Sequence, residues 1–181
     1  MGAMEPDLTF IERVSELSHQ NVRRCYYCQR CSAGCPAGVF MEYPPAQLLR
    51  LVQLGQKETL LRSSAIWLCI GCETCGTRCP NEIHAGAVID VLRQMALAEG
   101  VTPAERSVYK LHVAFLDSIR WWGRLHELSM IVQHKLTSGD NLLNNLDMGL
   151  DMLRKGKIHL LPKRIEGLEE VKALFEKGEA A

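Results

Sequence analysis

Aromatic residues are scarce in this 181-residue sequence, at 6%, and net charge is absent, because 21 Lys and Arg balance 21 Asp and Glu. The scarcity leaves a core to be built from Leu, Val, Ile, Ala and Met, for which a 47% hydrophobic fraction is ample. The charge balance excludes a generally basic nucleic-acid binder and an acidic disordered chain. No run of 18 apolar residues occurs, so no membrane span is expected. Residues Met1 to Thr9 lack the charged start and apolar stretch of a secretory signal, and a cytoplasmic location is expected. Met1-Gly2-Ala3, ahead of Met4, is given no role in the fold. The sequence also has no G-x-G-x-x-G dinucleotide loop, no P-loop and no G-x-S-x-G nucleophile elbow.

What it does have is eight cysteines in one repeated pattern. The first run is Cys25-x2-Cys28-x2-Cys31-x3-Cys35 followed by Pro36; the second is Cys69-x2-Cys72-x2-Cys75-x3-Cys79 followed by Pro80. Each cysteine of the second run lies 44 residues after its counterpart, and none is left over. Three chemistries compete for this pattern. A disulfide framework needs an oxidising compartment, and three cysteines at x2 spacing are too crowded to pair with one another. Structural zinc takes paired C-x2-C knuckles, two plus two, whereas this pattern is three plus one, twice. The reading that fits is a pair of 4Fe–4S clusters, since C-x2-C-x2-C-x3-C-P is the ferredoxin-type run.

The spacing has a physical basis. A loop wrapped around a cubane places thiolates at every third residue on three of its corners; the chain then leaves, and the fourth corner is met from elsewhere. In two-cluster ferredoxins the last cysteine of each run ligates the other cluster. The expected sets are therefore Cys25, Cys28, Cys31 and Cys79 for one cluster, and Cys69, Cys72, Cys75 and Cys35 for the other. Four thiolates per cluster leave no open iron, which points to electron transfer without catalysis in this chain. Pro36 and Pro80 turn the chain away after the last ligand. Arg30 and Arg78, inside the runs, either raise a local potential or point to solvent, and the solvated reading is preferred.

The remainder reads as helix. Expected segments are Leu8 to Leu17, Ala46 to Leu54 after Pro44-Pro45, Glu58 to Arg62, and Gly86 to Glu99 ending at Gly100. The residues joining the two runs show no strand alternation, so the fold expected is all-α: an α-helical ferredoxin domain with a helical C-terminal extension. The expected division is 1–20, an N-terminal helical segment; 21–100, the cluster domain; and 101–181, an extension for packing and partner docking. Val39, Phe40, Ile66, Trp67, Leu68 and Ile83 are expected to shield the clusters from water. Thr102-Pro103-Ala104-Glu105 reads as a helix start. An apolar stripe follows at Val108, Leu111, Phe115, Ile119, Trp122, Leu125, Ser129, Val132 and Leu136, bent at Gly123 and read chiefly as intrachain core. Further helices are expected over Asn141 to Lys155 and Glu166 to Lys177. The basic stretch Met152 to Ile165 has no interleaved aromatics and is read as solvated or facing an acidic partner, not as a nucleic-acid site. The six histidines are read as structural or surface residues.

The run from Cys25 to Pro36, the Ile66-Trp67-Leu68-Cys69 lead-in to the second run and the Lys155-Gly156-Lys157 to Pro162 segment together resemble the C subunit of heterodisulfide reductase. The resemblance extends from about Phe10 to Phe175. It implies a two-cluster relay that passes electrons between the flavin-containing A subunit of such a complex and its catalytic B subunit, which bears Cys-Cys-Gly domains. The sequence has no adjacent Cys-Cys pair of its own. Gln29 departs from the glycine common at that place in the first loop. The alternative is the iron–sulfur relay of another oxidoreductase, of the glycerol-3-phosphate, lactate or glycolate dehydrogenase type, or of a sulfur-oxidising complex. A free diffusible ferredoxin would not need the long helical C-terminal region.

Overall fold

The computed structural model describes residues 7, 9–139, 147, 151–152, 154–157 and 161–179. Among these there are helices and turns and no strand, as the sequence predicts. The chain divides into two compact units, Met1–Glu105 and Arg106–Ala181.

The first unit wraps helices around the two cysteine runs. Helix α1 (Phe10–Ser18) buries Phe10, Ile11 and Val14, at helical spacing, while Leu17 at its end stays exposed. A 3-10 turn, Val22–Arg24, leads into the first run, within which α2 (Arg30–Ala33) forms one turn. Helix α3 (Pro45–Gln53) opens on a proline at its first position and buries Ala46, Leu48, Leu49 and Val52. Two short helices follow, α4 (Lys57–Leu61) and α5 (Ala65–Leu68), and the second run contains α6 (Thr74–Arg78). Helix α7 (Ala85–Ala98) closes the unit and is its most buried element, with Val88, Ile89, Leu92 and Met95 inside; α1, α3, α4 and α5 all pack on it. Gly55, at φ +66°, turns the chain after α3, and its carbonyl accepts the Asp7 amide at 3.0 Å.

In the second unit, α8 (Arg106–Trp122) and α9 (Glu127–Ser138) pack together as a hairpin, and α10 (Leu168–Glu179) packs on α8. Gly123, at φ +76°, ends α8 outright where the sequence predicts a bend. Helix α8 also starts later than the Thr102-Pro103 signal implies. Val101 is still bonded back to the Ala96 carbonyl, closing α7, so Thr102 to Glu105 serve as a connector. The expected stripe is covered only in part: Val108, Ile119, Trp122, Leu125 and Ser129 are half-buried and none is fully buried. The side chains buried in the hairpin are Ala114, Ser118 and His126, and Leu111, Phe115, Val132 and Leu136 remain exposed. Small residues let the helices approach closely, so the packing face is rotated away from the apolar stripe. Ser118 Oγ accepts the His126 amide at 2.8 Å, and His126 Nδ1 accepts the Ser129 amide, capping α9. Most of the helix expected over Asn141 to Lys155 lies outside the described residues, although Asp147, Asp151, Met152 and Arg154 are helical. Ile158, His159 and Leu160 also lie outside them.

Candidate metal centre

The two cysteine runs adopt one backbone twice. Cys25 and Cys69 are both extended, at φ −71°, ψ 115° and φ −66°, ψ 122°. Tyr27 (φ 62°) and Gly71 (φ 65°) occupy the left-handed region at equivalent positions, and so do Gln29 (φ 63°) and Glu73 (φ 57°). The glycine-favouring position noted at Gln29 is therefore a true left-handed residue, and Glu73 stands in the same conformation in the second loop. Non-glycine residues held in the left-handed region mark a constrained site.

None of the eight cysteines is in a disulfide. Cys31 and Cys75, the third of each run, are the most buried. Cys35 leaves the first run and lines a small, mostly apolar pocket together with Cys69, Cys72 and Cys75 of the second, backed by Met41 and Ile89. The last cysteine of one run thus lines the same pocket as the first three of the other. For the reciprocal set, the tie is through the turn after Cys79, where Asn81 Nδ2 donates to the Arg24 carbonyl next to Cys25. The α2 and α6 turns pack directly on one another.

The thiols are surrounded by hydrogen-bond donors. Burial pushes the Cys31, Cys69 and Cys75 thiols above their ordinary range, opposed by the Ser32 amide at Cys31 and by the Gly86 and Gly76 amides at Cys75. At Cys69 the Gly71 amide and then the Arg93 guanidinium oppose burial, with Asp90 working weakly the other way. Cys72 is held below its ordinary value by the Thr74 hydroxyl, 3.4 Å from its sulfur, and by the Thr74 amide. Desolvated sulfurs supplied with N–H donors suit thiolates whose charge is shared with a cation. Among the described residues no three His, Cys, Asp or Glu side chains converge closely enough to hold a single metal ion. Thiols spaced around a void suit the wider cage of a cubane better than one zinc with bonds of about 2.3 Å. The residues fit 4Fe–4S clusters, which supply one-electron storage when bound.

Two further residues, silent in the sequence, hold the runs. Gln53, the ninth residue of α3, donates from Nε2 to the Val22 carbonyl at 2.9 Å and the Cys25 carbonyl at 2.8 Å. Arg93, the ninth residue of α7, donates from Nε to the Ile66 carbonyl and from Nη2 to the Cys69 carbonyl, both at 2.5 Å. Val22 and Ile66 are equivalent in the repeat, as are Cys25 and Cys69, so each helix clamps the entry to its run at the same two places. Both residues sit on the buried side of an amphipathic helix, and a lone polar residue on an apolar stripe was the signal available for them.

The expected shield is partly in place. Ile66, Trp67 and Ile83 are buried, but Val39 and Phe40 are 85% and 75% exposed. They follow Cys35 on a turn that carries them outward, and Ile70 beside Cys69 is exposed too. Arg30 and Arg78 are exposed, the latter lying over Gly34, where a side chain would collide with it. Glu73 Oε2 accepts from His84 Nδ1 at 3.1 Å, the pair filling space left by Gly76 and Gly86.

An all-α fold with two such runs defines the class: residues 24–83 match the 4Fe-4S dicluster domain family. The curated relatives narrow it. The chain is 39% identical over 90 residues to the C subunit of ferredoxin:CoB-CoM heterodisulfide reductase from Methanosarcina acetivorans, an alignment covering 50% of this chain and 36% of the relative. It is 28% identical over 103 residues to the C subunit of H(2):CoB-CoM heterodisulfide,ferredoxin reductase from Methanothermobacter thermautotrophicus, covering 56% of each. With the C subunit of the Methanosarcina mazei ferredoxin:CoB-CoM heterodisulfide reductase it shares 26% identity over 165 residues, 91% of this chain and 89% of the relative. In the first two alignments the chain spans about a third to just over half of the relative's length. The chain is thus similar to heterodisulfide reductase C subunits, and its residues 24–83 carry the match to the 4Fe-4S dicluster domain. No described helix is long and apolar enough to cross a membrane.

Proposed function

We propose that the chain is a non-catalytic electron relay within a heterodisulfide-reductase-like complex. In this reading it stands between the flavin-containing A subunit and the catalytic B subunit with its Cys-Cys-Gly domains, and holds two 4Fe–4S clusters. Cys25, Cys28, Cys31 and Cys79 hold one, and Cys69, Cys72, Cys75 and Cys35 the other. The observation that carries the reading is the shared cavity of Cys35 with Cys69, Cys72 and Cys75, which supports crossed ligation and the close pairing a relay needs. The chain's own residues do three things there. The thiols saturate iron, leaving no site for substrate. Ile66, Trp67 and Ile83 exclude water, and the Gly71, Thr74, Gly76 and Gly86 amides stabilise sulfur charge. Val39, Phe40 and Ile70, exposed beside ligand cysteines, suit contact with a protein partner.

Anaerobic purification from the native source tests this. A stable assembly with a flavoprotein and a Cys-Cys-Gly protein, and about eight irons in this chain, is expected. Isolation as a lone shuttling protein overturns the relay role within a complex, and zinc or bare thiols in a properly assembled chain overturn the cluster assignment.

A further inference from the structure

The two halves clamp their cysteine runs in the same way but with unlike charge. Gln53 is a neutral amide; Arg93 is a guanidinium with a side chain only 17% exposed, bonded to the carbonyl of a ligand cysteine. We propose that Arg93 sets the order of the two centres, making the one held by Cys69, Cys72, Cys75 and Cys35 the easier to reduce. The inference rests on the cluster reading above.

Adding an electron to a cluster adds negative charge, and a fixed cation nearby favours that state. Burial decides how far the charge is felt. Asp90 pairs with Arg93 at 3.0 Å, but its side chain is 63% exposed, so water screens it more than the cation it faces. Of the second loop's own charges, Glu73 is half exposed and bound to His84, and Arg78 is exposed. Arg30 of the first loop is exposed, and its counterpart Thr74 instead holds its hydroxyl 3.4 Å from the Cys72 sulfur, where it is placed to donate to a ligating thiolate of the second centre. The left-handed turns at Tyr27 and Gln29 recur at Gly71 and Glu73, so the two loops share that backbone frame. What remains is chiefly the difference between Gln53 and Arg93.

The test is an EPR-monitored redox titration of the iron-loaded chain, with the second centre identified by the signal that Cys72→Ser alters. In the parent chain that centre takes the first electron. Arg93→Gln, which copies the first half, lowers its reduction equilibrium constant by roughly tenfold, about 59 mV for a one-electron couple, and leaves the other centre in place. Arg93→Lys, keeping the charge, restores most of the shift, which a purely structural clamp would not do. Asp90→Asn moves the same centre upward and leaves the clamp intact, so it decides the matter if Arg93→Gln does not fold. Unmoved potentials in Arg93→Gln, equal shifts in Gln and Lys variants, or no rise in Asp90→Asn overturn the inference. A parent chain that binds no iron overturns the cluster reading instead.

Discussion

Replacing Cys35 by alanine separates crossed from uncrossed ligation. Cys35 belongs to the first run in sequence but shares its cavity with Cys69, Cys72 and Cys75. If the cavity reports the ligand set, Cys35→Ala disables the same centre as Cys72→Ala, although the two residues lie in different runs. Cys79→Ala and Cys28→Ala then form the complementary pair. Each variant loses one of four thiolates at one centre and none at the other, so iron is expected to fall from about eight to about four per chain, or by less where a three-iron cluster survives. The double variant Cys35→Ala/Cys72→Ala is expected to lose no more iron than the worse single variant, because effects within one centre are not additive. Iron analysis with EPR of the reduced protein reads both quantities. The reasoning fails if Cys35→Ala spares the signal that Cys72→Ala removes, or if the double variant sheds both centres. A uniform loss of iron in all four single variants, with helix content gone, would show instead that neither centre survives without the other.

Two more perturbations probe the scaffold. Gly55→Ala forces a side chain into the left-handed region and places its Cβ 2.5 Å from the Asp7 carbonyl oxygen, a backbone atom that cannot swing away. The left-handed conformation alone costs about 1–2 kcal/mol, and an overall loss of at least ~2 kcal/mol is expected, seen as a fall of roughly 4–8 °C in the thermal midpoint; an unchanged midpoint would contradict the fit. Asp7 itself is held below its ordinary carboxyl value by the Thr9 hydroxyl, which lies 2.7 Å from Oδ1. A depressed carboxyl contributes stability above its unfolded value, 3.8, and loses it as pH falls through the folded one. Asp7→Asn should therefore flatten the acid side of the stability–pH curve and leave the neutral side nearly level; a variant that steepens the acid side would contradict the assignment.

The cysteines were legible because metal ligation fixes both residue type and spacing, and the helices around them because Pro45, Gly55 and Gly100 punctuate apolar stretches. The supports of the site were harder to see. Gln53 and Arg93 act at carbonyls 28 to 31 and 24 to 27 residues away in sequence, and a bond to a backbone oxygen leaves no partner residue type to recognise. Val39 and Phe40 looked like shield because they are apolar and near a ligand, yet the turn after Cys35 decides their direction and periodicity does not. The C-terminal hairpin failed for a related reason. Its stripe has the right period, but Ala114 and Ser118 set how closely the helices approach, and they choose a different face. Thr102 had the chemistry of a cap, but closing α7 took precedence there.

The duplicated loop has one more consequence. In the proposed relay, two cages built on the same left-handed turns leave the direction of downhill flow to a few side chains hung on a shared frame. Exchanging the polar groups at Gln53 and Arg93 would reverse the slope without redrawing the architecture, which makes the polarity of this short circuit an easily tuned trait and its shape a durable one.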